Sequence, residues 1–231
     1  MANVDKYKGQ CHIHGEFEGV EYKVFKDTFQ TGCPMCNKAR DEEREREEQE
    51  LKERHRKERI FNGIRLSRIP EKYQGLLSFT PRENQKLKAW DKKQNVILIG
   101  GTGSGKTSYA CHLGMTIIYN GDTVRYCTAS ELVARIKNGW GDSTSEKVLE
   151  EYINADFLIL DEMGRCTYDD YLFRLFDGRY NASKPTILLG NLTPKEIKGL
   201  FGDAIYSRLM ELGVVGMDFD ITVDYRVKEI F

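Results

Sequence analysis

Near the middle of the chain, Gly100-Gly101-Thr102-Gly103-Ser104-Gly105-Lys106-Thr107 follows the spacing G-x-x-x-x-G-K-[S/T]. This pattern suits a polyphosphate. The oxygens of such an anion must come close to the backbone, so side chains stay small and glycine supplies the unusual torsions. Backbone N–H groups and the positive end of a following helix then face the charge. Lys106 is placed to reach the β- and γ-phosphates of ATP, and the Thr107 hydroxyl to ligate Mg²⁺. Gly101, Thr102, Gly103, Ser104, Gly105 and Ser108 complete the expected cradle.

A second group lies at the end of an apolar run, Leu158-Ile-Leu-Asp161-Glu162. Asp161 is expected to support Mg²⁺ through water. Glu162 is placed to polarise an attacking water as a general base. An enzyme that passes phosphate to a small molecule needs no such second acid, so the pair favours hydrolysis over kinase chemistry. Asn191 closes the next apolar run, Leu188-Leu-Gly-Asn191, where its amide can meet the γ-phosphate or the attacking water.

Cys11-x-x-His14 and Cys33-x-x-Cys36 form two chelating pairs separated by 18 residues. Four such ligands suit tetrahedral Zn²⁺, and with every position filled the site would be structural. His12 is an alternative to His14, although it stands too close to Cys11 for the usual turn. Pro34, Gly15 and Gly32 suit the tight turns of a zinc knuckle. Cys111, Cys127 and Cys166 read as packing residues.

These groups need elements to hold them. The chain has 231 residues, 40% hydrophobic and 31% charged, with a formal net charge of −1. That length fits one domain with a smaller appendage, and the charge argues against a uniformly basic nucleic-acid binder. No apolar run approaches the ~20 residues of a membrane span, and the start lacks a secretory signal, so a cytoplasmic protein is expected. Residues 1–37 hold the four metal-ligand candidates. Residues 38–59 are nearly all charged, with pairs such as Glu42–Arg46 and Glu53–Lys57, and read as a solvated helical linker. From residue 60 to 231 strands and helices alternate. Strands are expected at Asn95–Ile99, Thr123–Cys127, Phe157–Leu160 and Thr186–Leu189. Helices are expected at Lys106–Tyr119, after Ser130, at Tyr168–Tyr180 and after Thr193-Pro194. This pattern predicts an α/β fold, a parallel sheet with helices on both faces, which collects ligands at the carboxyl ends of its strands.

Residues 60–231 resemble AAA+ ATPases, more narrowly the DnaC-type replicative helicase loaders and the related IstB-type transposition ATPases. The resemblance rests on Asn62-Gly63-Ile64, Ile69-Pro70-Glu71-Lys72-Tyr73-Gln74-Gly75, the phosphate loop, Leu160-Asp161-Glu162-Met163-Gly164 and Tyr206-Ser207-Arg208-Leu209. It implies that Arg208 acts as an arginine finger in a neighbouring subunit's site, hence self-association through the ATPase domain. It also implies that Arg226 is a second sensor and that Ile69 to Tyr73 border the adenine. Lys137, Trp140 and Tyr171 match positions implied to contact single-stranded DNA, although Asp169 and Asp170 beside Tyr171 oppose phosphate. The implied function is loading of a hexameric helicase of the DnaB type onto single-stranded DNA. Residues 1–37 would recognise that partner, residues 38–59 would tether them, and no membrane is involved. The zinc module departs from some DnaC-type loaders, and it could contact nucleic acid instead of protein. The alternative is a transposition helper of the IstB type.

Overall fold

The computed structural model describes residues 4–24, 27–75, 90–138, 144–165, 170–211 and 213–219. Trp140, Cys166 and Arg226 lie outside the described residues. By contacts among its residues the chain divides into two units, Met1–Glu58 and Arg59–Phe231.

In the first unit, β1 (Val4–Cys11), β2 (Gly15–Val24) and β3 (Asp27–Gln30) form an antiparallel sheet in that order. The cysteine spacing predicted turns but not these strands, because the polar–apolar alternation of β2 changes phase at Gly19-Val20. Two cross-strand pairs set a ring against a glycine, Tyr7 opposite Gly19 and Phe17 opposite Gly9. A Cβ at either glycine would collide with the facing ring. The two rings meet edge to face at 6.0 Å and cover the space the glycines leave. Among residues 5–23 and 27–58, Cys33 is the only buried side chain. Burial alone therefore does little to hold this unit together.

Helix α1 spans Pro34–Ser67, with Pro34 at its first position, where the missing N–H costs nothing. It extends past the expected linker end at residue 59. Its exposed face carries Lys38–Glu42 at 3.8 Å, Lys52–Glu48 at 2.6 Å and Lys57–Glu53 at 3.9 Å. The expected Glu42–Arg46 pair is replaced by Arg46–Glu43 at 3.8 Å, one residue nearer on the same face. Arg68, at φ 63°, and Pro70 end the helix.

Among its described residues the second unit holds five parallel strands, β4 (Asn95–Gly100), β5 (Val124–Thr128), β6 (Phe157–Asp161), β7 (Thr186–Gly190) and β8 (Val214–Phe219). Their order is β5-β6-β7-β4-β8. Helices cover both faces. Helix α2 (Lys106–Tyr119) packs on one with Ile69, Trp90, Val96, Leu98 and Ile159. On the other lie α3 (Ala129–Asn138), α4 (Thr144–Asn154), α5 (Asp170–Asn181) and α6 (Pro194–Glu211), against Ile97, Leu158, Leu160 and Leu188. Neither α4 nor β8 was legible in the sequence.

The cap of α3 is also a correction. The helix begins one residue before Ser130, and the Thr128 hydroxyl accepts the Glu131 N–H at 3.2 Å while the Glu131 carboxylate accepts the Thr128 N–H at 3.1 Å. Thr193 caps α6 as expected, and Glu196 returns the contact in the same way as Glu131 does. The buried Arg179 of α5 donates to the carbonyls of Tyr152, Ile153, Ala155, Asp156 and Pro185. It thereby ties the end of α4 to the starts of β6 and β7. Burial pulls its guanidinium down to about 9.

Candidate nucleotide site and metal cluster

The strand order decides how the site is built. Strand β7 separates β4, which feeds the phosphate loop, from β6, which ends in Asp161. Any residue at the tip of β7 therefore stands between the loop and the acidic pair. Asn191 occupies that place, and its amide donates to the Thr102 hydroxyl at 3.2 Å.

The loop itself turns on Gly103 (φ 80°) and Gly105 (φ 92°), torsions that a side chain resists. Gly105 then leads into α2, whose first turn holds Lys106, Thr107 and Ser108. The Lys106 ammonium donates to the Gly100 carbonyl at 2.8 Å, the Gly101 carbonyl at 2.6 Å and the Ser104 hydroxyl at 3.2 Å. A buried cation held by its own loop's dipoles is a ready partner for a multivalent anion.

Asp161 is buried and its carboxylate is held at both oxygens. Oδ1 accepts the Glu162 N–H at 2.7 Å. Oδ2 accepts the Thr107 hydroxyl at 2.8 Å and the Tyr126 hydroxyl at 3.1 Å. Thr107 thus gives its proton to Asp161 and keeps its oxygen lone pairs, the arrangement a hard divalent cation requires. Glu162 has φ 56°, an uncommon torsion for glutamate, and the backbone bends there at the strand tip. Thr102, Gly103, Lys106, Thr107, Asp161, Glu162 and Asn191 line one cavity of about 230 Å³. Gly101, Ser104, Gly105 and Ser108, also expected in the cradle, are not among the residues that line it. Gly164, Gly190 and Leu192 also line it, and sequence reasoning missed them. It also missed Tyr126, which reads as an ordinary strand aromatic.

Other expected residues stand elsewhere. Arg208 pairs with Asp177 at 3.0 Å and lies over the rings of Phe173 and Tyr180. It shares a crevice with Asn95 and Thr186, the first residues of β4 and β7, so it sits at the opposite end of the strands from its own phosphate loop. Ile69 is buried against α2. Lys137 closes α3 and Tyr171 opens α5, two helices that pack together.

In the first unit, Cys11 ends β1, His14 lies in the β1–β2 turn, Cys33 precedes α1 and Cys36 is in its first turn. Their ligand atoms all lie within 4.8 Å of one another. Cys11 Sγ to Cys36 Sγ is 3.5 Å, and His14 Nδ1 lies 3.7, 3.6 and 3.3 Å from the sulfurs of Cys11, Cys33 and Cys36. A tetrahedral zinc site with bonds of about 2.3 Å to sulfur and 2.0–2.1 Å to nitrogen has edges of about 3.8 and 3.6 Å. The four distances lie within about 0.3 Å of those edges, and His14 rather than His12 belongs to the cluster. The thiols compete for charge: the Ile13 N–H draws Cys11 down to about 6, and hydrogen bonding to Cys11 pushes Cys36 up to about 11.

The sequence profile described as IstB-like ATP binding protein matches residues 45–211. The chain belongs to this family. The IstB-like family comprises ATP-binding AAA+ ATPases. One relative is the ATP-binding protein of insertion sequence IS5376 from Geobacillus stearothermophilus, 32% identical over 56% of this chain and 53% of its own length. Another is the replicative helicase loader DnaC of Buchnera aphidicola, 32% identical over 51% of this chain and 50% of its own length. The chain thus spans about half the length of these IstB-like and DnaC relatives. Two solved structures share the fold. A DnaC helicase loader matches 66% of this chain and 99% of its own at TM-score 0.53 and 19% identity. DnaI matches 67% and 95% at TM-score 0.54 and 15% identity. Among the described residues no helix is long and apolar enough to cross a membrane.

Proposed function

We propose that this chain is an ATP-hydrolysing switch that binds a replicative hexameric helicase and loads it onto single-stranded DNA. The observation carrying this reading is that one chain holds two separate devices. One unit presents a phosphate loop facing an Asp-Glu strand tip, and the other presents four metal ligands on a small sheet. The first device suits a nucleotide switch, and the second suits recognition of a partner. Residues 1–37 take the partner, residues 38–59 serve as tether, and residues 60–231 hold the nucleotide.

Within the site, Lys106 and the loop N–H groups bind the phosphates. Thr107 and Asp161 hold Mg²⁺, which supplies charge neutralisation on the transferred phosphoryl. Glu162 takes the proton of the attacking water, and Asn191 orients that water or the γ-phosphate. Arg208 faces away from its own site and serves that of a neighbouring copy, stabilising transition-state charge in trans, and Arg226 adds a second sensor contact. Zn²⁺ bound by Cys11, His14, Cys33 and Cys36 holds the first unit together. The relative DnaC, a replicative helicase loader, supports the loader reading.

Mixing the full chain with a hexameric replicative helicase should give a complex on gel filtration that changes with Mg-ATP. No complex in either nucleotide state overturns the reading. The family match and the insertion-sequence relative favour a second reading, a transposition helper. That protein would bind duplex DNA and a transposase and would ignore the helicase.

A DNA contact is proposed for Lys137, Trp140 and Tyr171. A cation beside a ring that stacks on bases is a workable single-strand contact, with each stacked base contributing about 1–3 kcal/mol. Trp140→Ala and Lys137→Ala should each weaken binding of a fluorescent oligonucleotide, Trp140→Ala by about tenfold. Unchanged affinity in both rejects the contact.

A further inference from the structure

We infer that Tyr126 is a positioning residue for the divalent cation bound with nucleotide: its buried hydroxyl fixes the Asp161 carboxylate in the orientation the cation needs. This rests on the nucleotide-switch reading above and adds to it a residue that no motif marks.

The register of the sheet places the group. Tyr126 lies on β5 opposite Ile159 of β6, and Asp161 stands two residues farther along β6. Side chains at Tyr126, Ile159 and Asp161 share the face covered by α2. A tyrosine ring running along the strand spans the distance of two residues. Its hydroxyl therefore meets Asp161 Oδ2 at 3.1 Å, beneath the phosphate loop.

The neighbouring bonds show what this donor adds. Thr107 also donates to Oδ2, at 2.8 Å, and the Glu162 N–H donates to Oδ1 at 2.7 Å. Thr107 is itself a candidate cation ligand, so its hydroxyl must answer to the cation as well as to Asp161. The Glu162 N–H comes from a residue at φ 56° next to the reacting water. Tyr126 is the donor of the three that belongs to neither the loop nor the strand tip. It comes from a buried strand and belongs to the same apolar cluster as Val124, Tyr109 and Ile159. Partners of this kind, which orient a metal-binding group without touching the metal, commonly change metal affinity by 10–100-fold when removed.

Tyr126→Phe removes the hydroxyl and keeps the packed ring. Binding of a fluorescent ATP analogue is measured first in EDTA and then across a Mg²⁺ titration. Affinity in EDTA should stay at the wild-type value, while the Mg²⁺ concentration for half-saturation rises about tenfold. Mn²⁺ in place of Mg²⁺, followed by electron paramagnetic resonance, should show the same loss of bound cation without reference to turnover. In an Asp161→Ala background the tyrosine substitution should add nothing to the Mg²⁺ requirement, because the carboxylate it orients is gone. A Mg²⁺ requirement equal to wild type, or an equal loss with and without Mg²⁺, overturns the inference. If the wild-type chain itself binds the analogue with no response to Mg²⁺, the nucleotide-switch reading fails instead.

Discussion

Glu162→Gln should slow ATP hydrolysis by about 10²- to 10⁴-fold while ATP stays bound, since that is the range a positioned general base contributes. The argument is geometric. Glu162 lines the cavity together with Lys106 and Asn191, across from the phosphate loop. Its own N–H is committed to Asp161, so the backbone at this point is fixed and the side chain is presented to the cavity. Glutamine keeps the shape and removes the charge that accepts a proton. Binding of the phosphates depends on Lys106, the loop N–H groups and Thr107, none of which the substitution touches. A fluorescent ATP analogue should therefore bind Glu162→Gln within about twofold of wild type, and single-turnover hydrolysis should show the deficit. Turnover at the wild-type rate would remove Glu162 from the mechanism. A loss of affinity as large as the loss of rate would assign it a structural part.

Removing the metal should unfold the first unit and leave the second intact. Structural zinc in small peptides binds with an apparent free energy of about 10–16 kcal/mol, and in such units that energy is the folding energy. Here Cys33 is the sole buried side chain among residues 5–23 and 27–58, and it is itself a ligand candidate. The sheet has little else to replace four metal bonds. Metal analysis of the purified chain should give one zinc per chain. A strong chelator, or Cys33→Ser, should abolish strand signal and hydrogen-exchange protection over residues 4–30. ATP-analogue affinity should not move, because the sheet β4–β8 has its own two apolar clusters. A wild-type chain without zinc, or a protected sheet in Cys33→Ser, would refute the assignment.

Sequence reasoning reached what is local and missed what is not. The strand, loop and helix around Lys106 follow one another without a break, so spacing and glycine chemistry define them, and α2 spans the residues expected. Cys11 to His14 across a turn and Cys33 to Cys36 across the start of α1 are likewise local spacings. Strand order is different in kind, because nothing in residues 95–100 says that their neighbours are residues 186–190 and 214–219. The place of Asn191 between loop and acid follows only once that order is known. Tyr126 shows the same limit, since its contact with Asp161 crosses 35 positions. The Asp177 partner of Arg208 was equally out of view, because motif resemblance speaks of a residue's role and not of its neighbours.

The order β5-β6-β7-β4-β8 also constrains how the protein comes into being. Both neighbours of β4 are made after it, with the first more than eighty residues downstream. On a translating ribosome the strand that carries the phosphate loop must wait unpaired while β5 and β6 are synthesised and join one another. Its apolar run Val96-Ile-Leu-Ile99 stays open to wrong partners for that interval. Such long-range pairing is slow to form. A polypeptide cut short before residue 186 retains every residue of the phosphate loop and lacks both strands that flank β4.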